Sequence, residues 1–281
     1  MITQLRCGER TLPLERPLVM GVVNLTPDSF SDGGRYLEPA QALERALTLE
    51  AEGAAILDLG GESTRPGAAP VTEQEEIRRV LPVLERLRPR TRAILSIDTS
   101  KPEVMRAAAA AGVDLINDVY ALRAPGALEA AAASGCAVCL MHMQGEPRTM
   151  QHAPHYDDVV GEVREFLAER VSACRAAGIA DARIVLDPGF GFGKTLEHNL
   201  TLLRRLEALR LDGLPLLAGL SRKSMIGVLT GKPSEARVHG SVAAALIAAQ
   251  SGARILRVHD VAATVDALKV LVAVTDCPAG G

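Results

Sequence analysis

Tryptophan is absent from the 281 residues, and only four phenylalanines and three tyrosines are present. Apolar residues nevertheless make up 48% of the chain, so a large core must be built from Ala, Leu, Val and Ile. That composition suits slim helices packed on a barrel of branched side chains. Also missing is any run of ~18 apolar residues free of charge, the minimum for a membrane-spanning helix. Residues 1–16 alternate charged and apolar side chains and hold no signal-peptide core. There is no basic surplus: 31 Lys and Arg stand against 34 Asp and Glu, a net charge of −3 with a pI near 6.1. This argues against a nucleic-acid-binding protein and leaves room for a local basic pocket. Five scattered cysteines, an odd number, do not make an oxidised framework, and a reduced cytoplasm is expected. Cys136 and Cys139 have the CxxC spacing, but they sit in an apolar run that reads as a buried strand. A redox pair belongs at a helix start.

The rest of the chain repeats a short apolar strand, a polar loop and an amphipathic helix. Strands are expected at 18–23, 55–59, 93–97, 115–117, 138–141, 184–186, 216–219 and 255–258. Nearly uninterrupted apolar runs of this kind fit parallel strands covered by helices. Helices are expected at 39–52, 72–87, from Ser100 to Gly112, and at 126–134, 157–177, 196–210, 234–251 and 261–274. Thr72 followed by Glu75 is a capping-box pattern, and Pro102 stands in a first helical turn. Gly53, Gly135, Gly178 and Gly252 stand where helices should stop. Eight such repeats give an α/β fold, a (β/α)8 TIM barrel. Residues 2–14 read as a short N-terminal β-hairpin around Cys7-Gly8-Glu9 that plugs the barrel bottom. A doubly wound open sheet shares the local pattern, but no GxGxxG follows the first strand. No linker divides the chain, so one domain over 1–281 is expected.

In such a barrel the chemistry gathers where strands end. The first strand runs into Asn24, the second gives Asp58, and the third gives Asp98. The fourth gives Asn117 and Asp118, the fifth His142, and the sixth Asp187. The seventh leads to Ser221-Arg222-Lys223-Ser224, and the eighth gives Arg257 and His259. A lone strand-end Asp is often only a helix cap, but so many converging on one mouth form a shared site. Asp98, Asn117, Asp187 and Lys223 mix acceptors and donors without a nucleophile–base pair, which suits a flat polar heterocycle. The Arg257 guanidinium can stack on a ring. Asn24, Arg65, Arg257 and His259 suit phosphate oxygens. One Asn with a nearby Asp, and no His/Cys cluster, suits Mg²⁺ bound chiefly through water and substrate phosphate.

These residues also fall in long signatures. Asn24-Leu25-Thr26-Pro27-Asp28-Ser29-Phe30-Ser31-Asp32-Gly33-Gly34 resembles the first signature of the dihydropteroate synthases. Asp58-Leu59-Gly60-Gly61-Glu62-Ser63-Thr64-Arg65-Pro66-Gly67 resembles the second. Asp187-Pro188-Gly189-Phe190-Gly191-Phe192-Gly193-Lys194, Ser221-Arg222-Lys223-Ser224 and Arg257-Val258-His259-Asp260 complete the set in order. The resemblance covers about residues 17–270. Only the closing helix, with Ala262-Ala263-Thr264, departs from the family's Glu-containing form, and no function attaches to that difference.

The resemblance implies condensation of a pterin pyrophosphate with p-aminobenzoate, in folate biosynthesis. It implies a pterin pocket of Asp98, Asn117, Met141, Asp187, Lys223 and Arg257. It implies a pyrophosphate site of Asn24, Thr64, Arg65, Arg257 and His259, with Mg²⁺ at Asn24. It implies a p-aminobenzoate site of Phe30, Pro66, Phe192, Lys223 and Ser224, and sensitivity to sulfonamides. Catalysis would rest on Lys223, Asp98, Asp187, Arg257 and Asp32, the last in a mobile loop where it stabilises developing positive charge.

Two rivals remain at this point. A pterin-binding methyltransferase domain shares the pterin pocket, but it needs no arylamine site and serves a corrinoid, for which this chain has no binding domain. A catalytically silent pterin binder is the other. Segments 26–37 and 61–71, rich in Gly, Ser, Asp and Pro, are expected to close as lids. The loop 143–156 has no assigned role. His152, His155, His198 and His239 are expected to face solvent. Residues 240–249 are apolar nearly all round, which on the outside of a barrel indicates a subunit contact; the resemblance also implies a homodimer.

Overall fold

Side chains alternate between the two faces of a strand, and this chain sorts them into two apolar layers and a polar one. In the computed structural model, residues 2–26, 39–63, 70–146 and 149–277 are described. Strands β1 (Gln4–Cys7) and β2 (Arg10–Pro13) form an antiparallel hairpin. Strands β3 (Leu18–Asn24), β4 (Ile56–Gly60), β5 (Ile94–Asp98), β6 (Leu115–Asp118), β7 (Ala137–Met141), β8 (Ile184–Asp187), β9 (Leu216–Ala218) and β10 (Ala253–Val258) close into a parallel barrel. β10 completes the ring by pairing with both β9 and β3.

Helices α1 (Pro39–Ala51), α2 (Glu73–Leu87), α3 (Pro102–Ala110), α4 (Ala127–Ser134), α5 (Val159–Ala176), α6 (Leu196–Arg204), α7 (Ser224–Thr230), α8 (Val238–Gln250) and α9 (Val261–Asp276) follow the strands. The outward strand residues, such as Val19, Leu57, Leu95, Ile116, Leu140 and Leu186, join buried helix residues in one large core. Small side chains dominate where α8 meets the barrel: Ser241, Ala244, Ala245, Ala248 and Ala249 are its buried face. Few aromatics are needed because the helices lie this close.

The inward residues at the lower end of the strands form a second core. Met20, Ile56, Ile94, Leu115, Cys139, Val185, Leu217 and Ile255 fill the barrel. Leu5, Cys7, Leu12 and Leu14 of the hairpin segment join them from below. Leu5 faces Leu12 across the hairpin, and the Ile2 amide donates to the Gly213 carbonyl at 3.0 Å. The plug covers the apolar lower end of the barrel.

The expected elements are present, with displaced ends. Thr72 caps α2 by accepting from the Glu75 amide at 3.3 Å. Gly53, Gly135, Gly178 and Gly252 all have positive φ at helix ends, as the stop signals required. Two expected helices are broken. The one at 196–210 ends at Arg204, and Leu206–Leu209 is a 3-10 turn, because Arg205 leaves the helical region at φ −111°. The one at 234–251 is a 3-10 turn, Ser234–Ala236, followed by α8. The seven-residue α7, ended by Gly231 at φ +68°, was hidden inside the polar motif at the seventh strand end. Cys136 and Cys139 are buried, and burial raises both thiols, so the CxxC pair is structural. Among the described residues no helix is long and apolar enough to cross a membrane.

Candidate active site at the mouth of the barrel

Two residues above each member of the inner apolar core, the inward register continues as Val22, Asp58, Ser96, Asn117, Met141, Asp187, Gly219 and Arg257. The interior thus changes from hydrocarbon to charge within one pleat repeat. Asn24, Gly60 and Asp98 stand one further step up, Asn24 beside Gly60 and Gly60 beside Asp98.

The centre is a buried ion cluster. Arg257 donates from Nε to Asp58 Oδ2 at 2.6 Å and from a terminal nitrogen to Asp98 Oδ2 at 2.7 Å. Asp58 is fully buried and also accepts from Ser96 Oγ at 2.5 Å and Asn117 Nδ2 at 3.2 Å. It therefore meets Arg257, Ser96 and Asn117 from β10, β5 and β6. Burial raises the Asp98 carboxyl to about 7, against the pull of Arg257, with Asp58 adding to the rise. Burial likewise raises Asp187, opposed first by Lys223 and then by the Gly189 amide, which donates to Asp187 Oδ1 at 2.7 Å. Burial pushes the Lys223 amine down to about 8, although Asp187 opposes it. Lys223 donates to the Phe190 carbonyl, and its Nζ lies 4.7 Å from the Phe192 ring centroid. Asp98, Asn117, Asp187, Lys223 and Arg257 are thus brought together, with Phe192 against Lys223. Met141 packs with Val119, Met143 and Met150, with Phe192 alongside.

His259 stands just past β10, with its amide and Nδ1 at 3.2 and 3.1 Å from Ser221 Oγ. Ser224 is the first residue of α7 and is exposed. The segment before it is strained and braced: Arg222 has φ +59° and pairs with Asp260 at 2.5 Å, while its amide donates to Ser241 Oγ at 2.9 Å. Phe30, Asp32, Thr64, Arg65 and Pro66 lie outside the described residues, as do the expected lids for most of their length. The described ends of the second are held. Glu62 accepts from the Val71 amide at 3.0 Å and pairs with Lys101, which also pairs with the fully buried Glu76 at 2.5 Å.

Sequence reasoning left several residues without a role. Asp58 was seen at a strand end but not as the hub, and Ser96 was taken for part of an apolar run. Counting inward positions at a period of two from Ile56 and Ile94 finds both. His152, His155 and His239 are exposed as expected. His198 is a correction: it is half-buried, accepts at Nδ1 from the Thr195 amide at 3.3 Å, and meets Tyr156 edge-on. Thr195 is the N-cap of α6, and His198, three residues on, completes its capping box. Among the described residues no group of three or more His, Cys, Asp or Glu is arranged to hold a metal.

The "Pterin binding enzyme" family model matches residues 20–259. A relative from Escherichia coli, "Dihydropteroate synthase", is 54% identical over 261 residues, 93% of each chain. The Xanthomonas albilineans dihydropteroate synthase with 4-aminobenzoic acid superposes with a TM-score of 0.93 at 58% identity, over 99% of this chain and 100% of that one. The same protein in complex with 7,8-dihydropteroate gives 0.89 at 55%, over 98% and 100%.

The ion cluster has a direct signature. In carboxyl ¹³C NMR, Asp98 titrates with a midpoint near 7. Arg257→Leu moves the midpoint upward, because the cation favours the charged carboxylate. A midpoint near the ordinary 3.8 would contradict the buried geometry.

Proposed function

We infer the division of labour at the barrel mouth from one premise: this chain belongs to the dihydropteroate synthase family of pterin-binding enzymes. It is a transferase that condenses 6-hydroxymethyl-7,8-dihydropterin pyrophosphate with p-aminobenzoate, giving 7,8-dihydropteroate and pyrophosphate in folate biosynthesis. The observation that carries the site reading is the convergence of Asp98, Asn117, Asp187, Lys223 and Arg257 at the mouth of the barrel.

Asp187 and Asn117 take the pterin's amino and amide edge, a carboxylate accepting two bonds from an amidine-like group. Met141 forms the apolar floor beside it. Asp98 faces the ring nitrogens near the reacting methylene, and Lys223 donates to the ring acceptors. Arg257 stacks on the ring face while its fixed charge faces the leaving group. Asn24, Thr64, Arg65 and His259 hold the pyrophosphate with Arg257. Phe30, Pro66, Phe192 and Ser224 seat p-aminobenzoate, with Lys223 at the junction of the two substrates. Asp32 stabilises positive charge as it develops.

In the reaction the methylene–oxygen bond breaks, its electron pair leaves with pyrophosphate, and the amine lone pair forms the new carbon–nitrogen bond. The amine then loses one proton. An arylamine is already neutral near pH 7, so no strong base is needed. What is needed is charge stabilisation on both sides of the breaking bond. Arg257 and His259 serve the departing anion, and Asp98 and Asp187 serve a cationic pterin methylene. The path is dissociative, so the rate follows leaving-group quality more than amine nucleophilicity; the reverse dependence would contradict it.

Asn24 offers an amide oxygen at the end of β3, and among the described residues no group of His, Cys, Asp or Glu gathers to hold a metal, a donor set that fits Mg²⁺ bound through water and substrate phosphate. When bound, the ion supplies countercharge to the pyrophosphate. An exposed apolar face supports a homodimer: Val228 and Leu229 on α7, Ile247 on α8, and Val270 and Val274 on α9 are 46–70% exposed. All five cysteines are free and four are buried, which fits a reducing cytoplasm; fractionation of cells tests that placement.

Rapid, sustained pyrophosphate release is expected to require both substrates, and it ceases on chelation and returns with Mg²⁺. Lys223→Ala lowers kcat by about 10²–10³-fold, the scale for loss of one preorganised donor. Release that proceeds as fast without p-aminobenzoate as with it, or an unaffected Lys223 variant, would contradict the assignment. Sedimentation is expected to show a dimer that Val270→Glu with Val274→Glu dissociates; a dimer untouched by this pair would place the contact elsewhere.

A further inference from the structure

Lys194 is a buried amine that the reaction does not use. It is 3% exposed and ends the glycine-rich segment that follows β8. Its Nζ donates to the carbonyls of Gly189 at 2.9 Å and Phe192 at 3.0 Å, and it lies 2.9 Å from His142 Nδ1. A longer contact of 3.4 Å reaches the His142 carbonyl. Burial drives the Lys194 amine well down and holds His142 neutral to about 2. In either protonation state the amine has hydrogens for both loop carbonyls, and the neutral imidazole supplies the complementary donor or acceptor.

The segment lies against the exit of β7 with no side chain between them. A Cβ on Gly189, at φ +66°, would fall 1.8 Å from the His142 carbonyl oxygen. One on Gly193, at φ +61°, would fall 2.4 Å from that of Gln144. Lys194 fastens the two backbones at this approach. A second strut comes from the loop 143–156, where Tyr156 donates to the Gly193 carbonyl at 2.8 Å.

Between the two carbonyls that Lys194 binds lie the groups that set Lys223. The Phe190 carbonyl accepts from Lys223 Nζ, and the Phe192 ring lies against the same amine. Gly191 between them approaches the Lys223 stem, since a Cβ there would be 3.2 Å from its Cδ. The chain of contact runs Lys194, Gly189 to Phe192, Lys223, and every link is within the described residues.

We propose that Lys194 is a positioning residue for the arylamine side of the site: it touches neither substrate but fixes the 189–193 segment against which Lys223 and Phe192 are set. The proposal rests on the assignment of Phe192 and Lys223 to p-aminobenzoate. Asp187, at the head of the same segment, is also held by strand pairing to Met141, and Asp98 and Asn117 stand on other strands, so most pterin contacts do not pass through 189–193. The pterin side should therefore be less affected.

The test compares wild type with Lys194→Met, which keeps the stem and loses the donors, and with Lys194→Arg. In Lys194→Met, the KM for p-aminobenzoate is expected to rise about tenfold or more, the scale of a sub-ångström to ångström misplacement. The Kd for the dihydropterin pyrophosphate, measured without p-aminobenzoate, is expected to stay within about threefold. Lys194→Arg should recover part of the loss. A lowered Tm with both constants unchanged, or equal loss on the two substrates, would overturn the proposal. If Lys194→Met does not fold, Tyr156→Phe removes only the second strut; it should raise the p-aminobenzoate KM about two- to fivefold, and no change would overturn the proposal. Phe192→Leu separates the two failures. An unchanged p-aminobenzoate KM there defeats the site assignment, whereas a raised one beside an unchanged Lys194→Met defeats the Lys194 proposal alone.

Discussion

A guanidinium taken out of water must be matched by carboxylates with good geometry, or the fold does not hold it. Arg257 meets that condition by reaching past β3 to Asp58 and then to Asp98. Asp58 in turn needs its remaining lone pairs filled, and Ser96 and Asn117 fill them. Four strands are thus committed to one arrangement by a single buried cluster. The consequence for function is orientation. With its Nδ2 donating to Asp58, Asn117 turns its carbonyl oxygen away, leaving an acceptor for a ligand. With Nε and one terminal nitrogen engaged, Arg257 keeps its plane fixed and one terminal nitrogen uncommitted to those two carboxylates.

Among the described residues the charges at the centre of the mouth are close to balance. Asp58, Asp98 and Asp187 face Arg257 and Lys223, and burial raises Asp98 to about 7 and lowers Lys223 to about 8. Near neutral pH these two groups stand next to their titration points. A pocket of this kind accepts a ligand carrying both a hydrogen-bonding ring and an anion, because neither sign is in large excess. It also spends little reorganisation when charge separates along the breaking bond, since the dipoles are already set.

Most of the scaffold was legible in the chain because periodicity and helix stops are local properties. The strand runs, the hairpin around Gly8, the glycine stops and the Thr72 cap are all where the sequence places them. The failures have physical causes. The α6 break at Arg205 and the 3-10 turn at Ser234–Ala236 fall inside stretches that read as continuous helix, and the seven-residue α7 is too short to show a period of its own. Asp58 is legible as a strand-end residue but not as the hub, and Ser96 is hidden in an apolar run whose inward members show only at a period of two. Lys194 looks like the tail of a glycine motif, and only the fold brings His142 beside it. The placement of Asp98, Asp187 and Lys223 at the mouth was legible because strand ends in a barrel all face one way.

The proposed pterin site depends first on the Asp58–Arg257 pair, which sets its geometry before the ligand arrives. Calorimetric titration of the dihydropterin pyrophosphate into wild type and Asp58→Asn, with Tm recorded for both, tests it most directly. Removing the charge while keeping the shape should weaken binding at least about tenfold in a folded variant, since Arg257 loses its carboxylate and Asn117 its fixed orientation. Undiminished affinity in a folded Asp58→Asn protein would contradict the claim.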